Sequence, residues 1–359
     1  MVTDNDRVIW PDIAIPPGEL LAETIEAKNL SQSELARRMD RPIQVINEII
    51  KGKRSITPET AIQLERVLGT PAYVWINLEK NYEYNKARLV DLKELEKQIP
   101  WLDSFPYRCM AELGWVRSTG DKVERVKELL SFFGVTSFEE LKCFWEVAYR
   151  RSYAKRPSPE ALAAWLRRGE IEAHGIDVAG FDEKKLKEAL AAFRELTRKP
   201  AREFSLVLRS LCASCGIALV FIPHLPKTYA HGATRWLAPD KALVQLSVRY
   251  RYDDIFWFSF FHEAGHIIRH GKKRVFVEIN ESNKSDEEME ADRFARDTLI
   301  PPDEFRLFTS CGRMFSKAAV VEFACRIEVA PSIVVGRLQH EGLIPHTHLN
   351  ALRTQFTIK

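Results

Sequence analysis

Residues 262 to 266 read His-Glu-Ala-Gly-His, and no other stretch of this 359-residue chain restricts its chemistry so sharply. On a helix, residues four apart share a face. Both imidazoles can then reach one zinc ion, while Glu263 on the adjacent face addresses a water bound to that ion. Zinc lowers the pKa of such a water to about 7 and polarises a peptide carbonyl. A neighbouring carboxylate can accept the water's proton and pass it to the leaving amine. The competing reading is an ordinary amphipathic helix with a surface glutamate, so a further ligand has to be found.

A catalytic zinc takes three protein ligands and keeps a fourth position open. The acidic segment 287–302, EEMEADRFARDTLIPP, offers the third. If it is helical, Glu288 and Asp292 lie one turn apart on one face, so that Glu288 can ligate while Asp292 accepts a hydrogen bond from an imidazole. Glu290 then points elsewhere. Glu287 and Glu290 stand as alternative ligands, because a cluster of four acidic residues cannot be phased from sequence. His270, one turn beyond His266, reads as a residue at the helix C-terminus, where the dipole favours a cation. The reaction also needs a donor for its oxyanion. Tyr229 and His231, in the stretch TYAHGATRW read as a loop between two strands, are the candidates.

The string HEAGHIIRH, followed by EMEADRFARDTLIP, resembles the ImmA/IrrE metallopeptidases over roughly residues 200 to 345. The resemblance implies a zincin-like α+β domain, with His262, His266 and Glu288 binding Zn2+ and Glu263 as catalytic base. It also implies a protein substrate of the helix-turn-helix repressor class, cleaved to switch on stress or mobile-element genes. Asp292 stands where that family more often has asparagine.

The N-terminal segment carries a different chemistry. Residues 17–83 read as five short helices, at about 17–28, 32–39, 42–50, 58–68 and 71–83. Ser31 and Glu34 make an S-x-x-E capping box, Thr57-Pro58 places a cap before a first-turn proline, and Gly52 and Gly69 sit where helices should stop. The second and third helices, joined by a turn at Asp40-Arg41, form a helix-turn-helix whose second member should enter the major groove. Gln44 and Asn47 can read base edges, whereas Gln32, Arg41, Lys51, Lys53 and Arg54 can hold phosphates. Between 37 and 54 six basic residues face only Asp40 and Glu48. The run from Ile15 to about residue 83 resembles HigA/VapI-type antitoxins and phage-repressor-like regulators. That resemblance implies a homodimer on a double-stranded DNA operator, with a toxin as a further partner.

Between these ends, residues 84 to about 212 show helical spacing and no catalytic signature, and basic pairs such as Arg150-Arg151 and Arg167-Arg168 read as solvated helix faces. After Gly216 the runs 217–223, 242–248 and 275–279 read as short strands, and helical spacing returns at 254–270, 286–299 and beyond 316. The expected organisation is a multidomain α+β chain: an all-α helix-turn-helix domain at 1–90, a helical middle at 91–200 and a zincin-like domain at 201–359. Cys212 and Cys215 read as two small core residues at a helix-to-strand junction. Six dispersed cysteines do not make a disulfide scaffold, no apolar run spans a bilayer, and the polar start MVTDNDR does not read as a secretion signal, so a cytoplasmic protein is expected. Net charge of +3 leaves the partner class open. Two functions fit: a DNA-bound zinc endopeptidase acting on a repressor, an antitoxin-like protein or itself, and an antitoxin-like repressor whose zinc domain is a sensor or scaffold without turnover.

Overall fold

A computed structural model describes residues 12–141, 158–247, 252–270, 276–279, 285–310 and 315–355; Arg150-Arg151 lies outside them. The chain divides into two compact units, residues 1–100 and 101–359.

Among the described residues the first unit has five α-helices: α1 Pro17–Ala27, α2 Gln32–Arg38, α3 Ile43–Ile50, α4 Pro58–Leu68 and α5 Ala72–Gln98. Their punctuation is local chemistry. Ser31 Oγ accepts from the Glu34 amide at 3.1 Å and Thr57 Oγ1 from the Thr60 amide at 3.3 Å, satisfying N–H groups that a helix start leaves unpaired. The return half of the capping box is absent, because the Glu34 carboxylate is held by Arg37 and Arg38 instead. Leu21, Leu35, Ile46, Leu64 and Trp75 supply the core. Gly18 lets α1 cross the end of α3, where a Cβ would stand 2.1 Å from the Ile49 carbonyl oxygen. The fifth helix continues well past 83, since 84–98 contains neither glycine nor proline and is rich in helix-favouring Lys, Glu and Leu.

The second unit opens with α6 Tyr107–Glu112, α7 Lys122–Phe133, α8 Pro159–His174, α9 Glu183–Leu196 and α10 Ala201–Ser214. A four-stranded sheet follows, β1 Ile217–Ile222, β2 Ala230–Ala238, β3 Lys241–Ser247 and β4 Phe276–Ile279, in the order β1-β3-β2-β4. β1 runs parallel to β3, and β2 is antiparallel to both β3 and β4. Helix α11 Asp253–Arg269 lies between β3 and β4 in sequence, and α12 Asp286–Leu299, α13 Pro302–Ser310, α14 Lys317–Arg326 and α15 Pro331–His340 complete the unit. Among the described residues no helix is long and apolar enough to cross a membrane.

Both sheet faces are covered, which is why β1 is buried along its whole length. Ile217, Leu219, Val244 and Leu246 enter one core with Phe256, Trp257, Phe260 and Phe261 of α11. Burial of each such side chain stabilises the fold by about 2 kcal/mol. The alternate face receives α8: Gln245 Nε2 donates to the Trp165 carbonyl at 2.7 Å, and the Trp165 indole donates to the Ile222 carbonyl at 3.3 Å. Residues 101–200 are therefore part of the second unit, where a separate middle region was expected. Their periodicity reports an amphipathic helix but not the surface it covers. Cys212 and Cys215 are buried in the same core, at the α10–β1 junction.

The stretch expected as a loop around TYAHGATRW is strand β2 from Ala230 onward. Small and polar residues give it little intrinsic strand preference. Its backbone is fixed instead by ladders on both sides, with Thr234 opposite Val244 on one neighbour and Phe276 on the other.

Candidate metal centre and helix-turn-helix

Helix α11 carries His262, Glu263 and His266, all buried, and α12 packs beside it with Glu288 4% exposed. Ser285 caps α12, its hydroxyl accepting from the Glu288 amide, so the cap fixes the phase that sequence left open. His262 Nε2 lies 3.1 Å from Glu288 Oε2 and 3.0 Å from His266 Nε2, and His266 Nε2 lies 3.6 Å from the same carboxylate oxygen. Among the described residues, these three form the group whose ligand atoms converge. A tetrahedral zinc with bonds of about 2.0–2.2 Å has ligand-to-ligand edges of about 3.3–3.6 Å. The donor set, two imidazoles and a carboxylate, suits that ion; the His266–Glu288 edge lies within this range, and the other two are about 0.2–0.3 Å shorter, a small opening of the trio away from tetrahedral zinc geometry.

The surroundings orient the two imidazoles. His262 Nδ1 lies 2.9 Å from Asp292 Oδ1, one turn beyond Glu288. With that nitrogen donating to Asp292, Nε2 presents its lone pair to the centre. His266 Nδ1 is 2.9 Å from His270 Nδ1, and the far nitrogen of His270 is 3.4 Å from Glu290. The His266 ring also stacks on Phe276 of β4, centroids 4.1 Å apart. Neither alternative ligand joins the trio: Glu290 is half-exposed beside His270, and Glu287 lies off the converging face. His270 stands at the α11 terminus as expected, but faces the His266 ring.

Without an ion the electrostatics are those of a shared proton. Burial would lower the His262 pKa, but the carboxylates of Asp292 and Glu288 hold it well above the usual imidazole value. Burial would raise Glu288, yet the two imidazoles keep it below the ordinary carboxylate range. Burial brings His266 down to about 4. A cation bound between these groups would take the place of that proton.

Glu263 is fully buried beneath β2. The Thr234 hydroxyl donates to its Oε2 at 2.5 Å, and Oε1 has no hydrogen-bond partner. Gly232 makes room for that carboxylate: a Cβ there would meet Oε1 at 2.4 Å. Burial pushes the Glu263 carboxyl well above its usual range, against the pull of His262. Thr234, Gly232 and Phe276 escape the sequence reading because their roles come from strand register, which the loop assignment hid. His231, also expected in the loop, is the extra residue of a bulge in β2, since Ala230 and Gly232 face consecutive residues of β4. Tyr229 precedes the strand with a positive φ of 53°.

In the first unit Gln44 is exposed on α3, and Asn47 Nδ2 reaches Gln32 Oε1 of α2 at 3.4 Å. Lys51 and Lys53 are exposed after α3. Arg41 and Arg54 are engaged within the unit, by Gln63 at 2.6 Å and Glu48 at 2.8 Å. With Glu34 holding Arg37 and Arg38, the local positive charge is smaller than the count over 37–54 suggests.

A short helix capped by Ser31, a turn at Asp40 and a second helix with an exposed polar face define a helix-turn-helix unit of the transcription-regulator class. The chain belongs to the helix-turn-helix family HTH_3, whose model matches residues 21–75. It is similar to the uncharacterized HTH-type transcriptional regulator YddM of Escherichia coli (strain K12), 31% identical over 84 residues, 23% of this chain and 89% of that protein. It is also similar to virulence-associated protein I of Dichelobacter nodosus, 37% identical over 75 residues, 21% of this chain and 69% of the relative. Among solved structures, an addiction module antidote protein of the HigA family from Coxiella burnetii is 35% identical, over 24% of this chain and 94% of that one, with a TM-score of 0.22.

Proposed function

We propose that this chain is a DNA-binding regulator that carries a zinc-dependent endopeptidase in its second unit. The observation that supports the enzymatic half is the convergence of His262 Nε2, His266 Nε2 and Glu288 Oε2 within 3.6 Å of one another beside a buried Glu263. A zinc ion held there supplies Lewis acidity to a scissile carbonyl and acidifies the attacking water. Glu263, held through Oε2 by Thr234 and with Oε1 unpartnered, takes the proton from that water and delivers it to the leaving amine. Burial shifts its carboxyl upward, the direction that suits a group that first accepts and then releases a proton. His231 at the bulge, or Tyr229 beside it, donates to the oxyanion. Helix α11 on one sheet face, with α12 beside it bringing Glu288 to the two imidazoles, supports reading the second unit as a zincin-like domain.

Family membership supports a double-stranded DNA operator as the partner of the first unit, bound by α3 as a homodimer. The protein substrate is a repressor or antitoxin-like protein, including this chain itself, and a toxin is a further partner of an antitoxin-like regulator. The test is incubation of the zinc-loaded full chain with helix-turn-helix repressors and with itself, read by mass spectrometry. The proposal expects cleavage that chelator abolishes and that Glu263→Gln reduces about 100-fold or more while zinc is retained. Products that appear equally in chelator exclude this mechanism.

A further inference from the structure

One carboxylate beside the centre has no part in the chemistry above. Among the described residues strand β4 stands at one edge of the sheet, and its register places Phe276 opposite Thr234 and Glu278 opposite Gly232. Cross-strand partners share a face. Phe276 stacks on His266 and Thr234 donates to Glu263, so this face is the one turned to the metal helix. Glu278 therefore stands next to the gap that Gly232 leaves for the Glu263 carboxylate. Its charge acts on both His262 and Glu263.

Glu278 Oε2 is buried and has no hydrogen-bond partner. A carboxylate oxygen taken from water without a partner costs free energy that a native fold recovers by pairing it. Zinc does not supply the missing charge. The two positive charges of such an ion already face the carboxylates of Glu288, Glu263 and Asp292, which leaves the charge of Glu278 over. The edge position matters as well, because an extended peptide can lie along an edge strand and present alternate side chains to the face beside it.

We infer that Glu278 is a specificity-determining residue that receives a basic side chain, lysine or arginine, of the peptide held at the metal centre. This inference rests on the peptidase reading of the site. The ammonium or guanidinium group provides the charge-assisted hydrogen bond that Oε2 lacks. A neutral side chain in the same place leaves the carboxylate unpaired, so discrimination comes from both terms.

The test uses the full zinc-loaded chain and two probes that differ only in the ε-ammonium group, Nα-acetyl-lysine hydroxamate and Nα-acetyl-norleucine hydroxamate, with binding measured by calorimetry. Wild type should bind the lysine probe about tenfold more tightly, and Glu278→Gln, which keeps shape and removes charge, should bind both alike. In parallel, quenched peptides carrying lysine or norleucine beside the scissile bond should show the same preference in kcat/KM and the same loss in Glu278→Gln. Equal affinity of wild type for the two hydroxamates, or a lysine preference that survives in Glu278→Gln, overturns the subsite. Hydroxamates bound with the predicted preference but no peptide cut above the Glu263→Gln background would uphold the subsite and reject the peptidase.

Discussion

Asp292 Oδ1 sits 2.9 Å from His262 Nδ1, on the side of the ring away from Glu288. This carboxylate fixes which nitrogen of His262 carries the proton and therefore which one faces the metal centre. Loss of such an outer partner typically costs 10–100-fold in metal affinity. Asp292→Ala should weaken zinc binding within that range, as measured by competition with a chelator dye. Asp292→Asn, which can still accept through its amide oxygen, should weaken it less. An unchanged affinity in Asp292→Ala would remove the orienting role.

The start of α11, the helix of the two candidate imidazole ligands, is tied to the end of the described chain. Arg353 lies 2.8 Å from Asp254 Oδ2, with side chains 13% and 9% exposed, while Asp253 accepts from Ser332 Oγ and from the Thr354 amide. Burial raises the Asp254 pKa above 3.8, and Arg353 opposes that rise. Arg353→Met leaves a buried carboxylate without its cation, which should cost about 3 kcal/mol near neutral pH. A carboxyl with a folded-state pKa above its unfolded value binds its proton more tightly when folded, so it gains stability as pH falls through the folded pKa. The variant widens that gap. Its stability deficit against wild type should therefore be largest at neutral pH and shrink on acidification, measured by urea unfolding from pH 7 down to about 4. A deficit independent of pH would contradict the assignment to Asp254.

Much of the site was legible because its signals are helical. The i, i+4 histidines and the Glu288 to Asp292 turn depend on local periodicity, and the acidic cluster was phased once Ser285 was seen to cap α12. What escaped lies in the sheet. Thr234, Gly232 and Glu278 reach the centre only through register between β2 and β4, a non-local property that a glycine-containing, polar strand does not announce. The extension of α5 and the docking of α8 escaped for a related reason. A helix end in a run without breakers, and the surface that a helix covers, are decided by tertiary packing rather than by local pattern.

The DNA-facing residues separate into two kinds of contact. Asn47, on α3 and near Gln32, should read a base edge, so Asn47→Ala should lose about 1–3 kcal/mol on DNA selected by the wild type and little on random DNA. Lys53, exposed beyond α3, should hold a phosphate, and Lys53→Ala should weaken all sequences alike and reduce the salt slope by about 1. Arg54→Ala should have the smaller effect, since Glu48 already holds that guanidinium. Equal losses on selected and random DNA for Asn47→Ala would remove its base-reading role.

The central claim is that two imidazoles and one carboxylate share a single divalent cation. Metal analysis of the full chain after zinc loading and desalting tests it most directly, with His262→Ala and Glu288→Ala alongside. About one zinc per chain is predicted for wild type, with loss in both variants and retention in Glu263→Gln. A wild-type chain that holds no zinc, or a Glu288→Ala chain that holds it as tightly as wild type, would contradict the account.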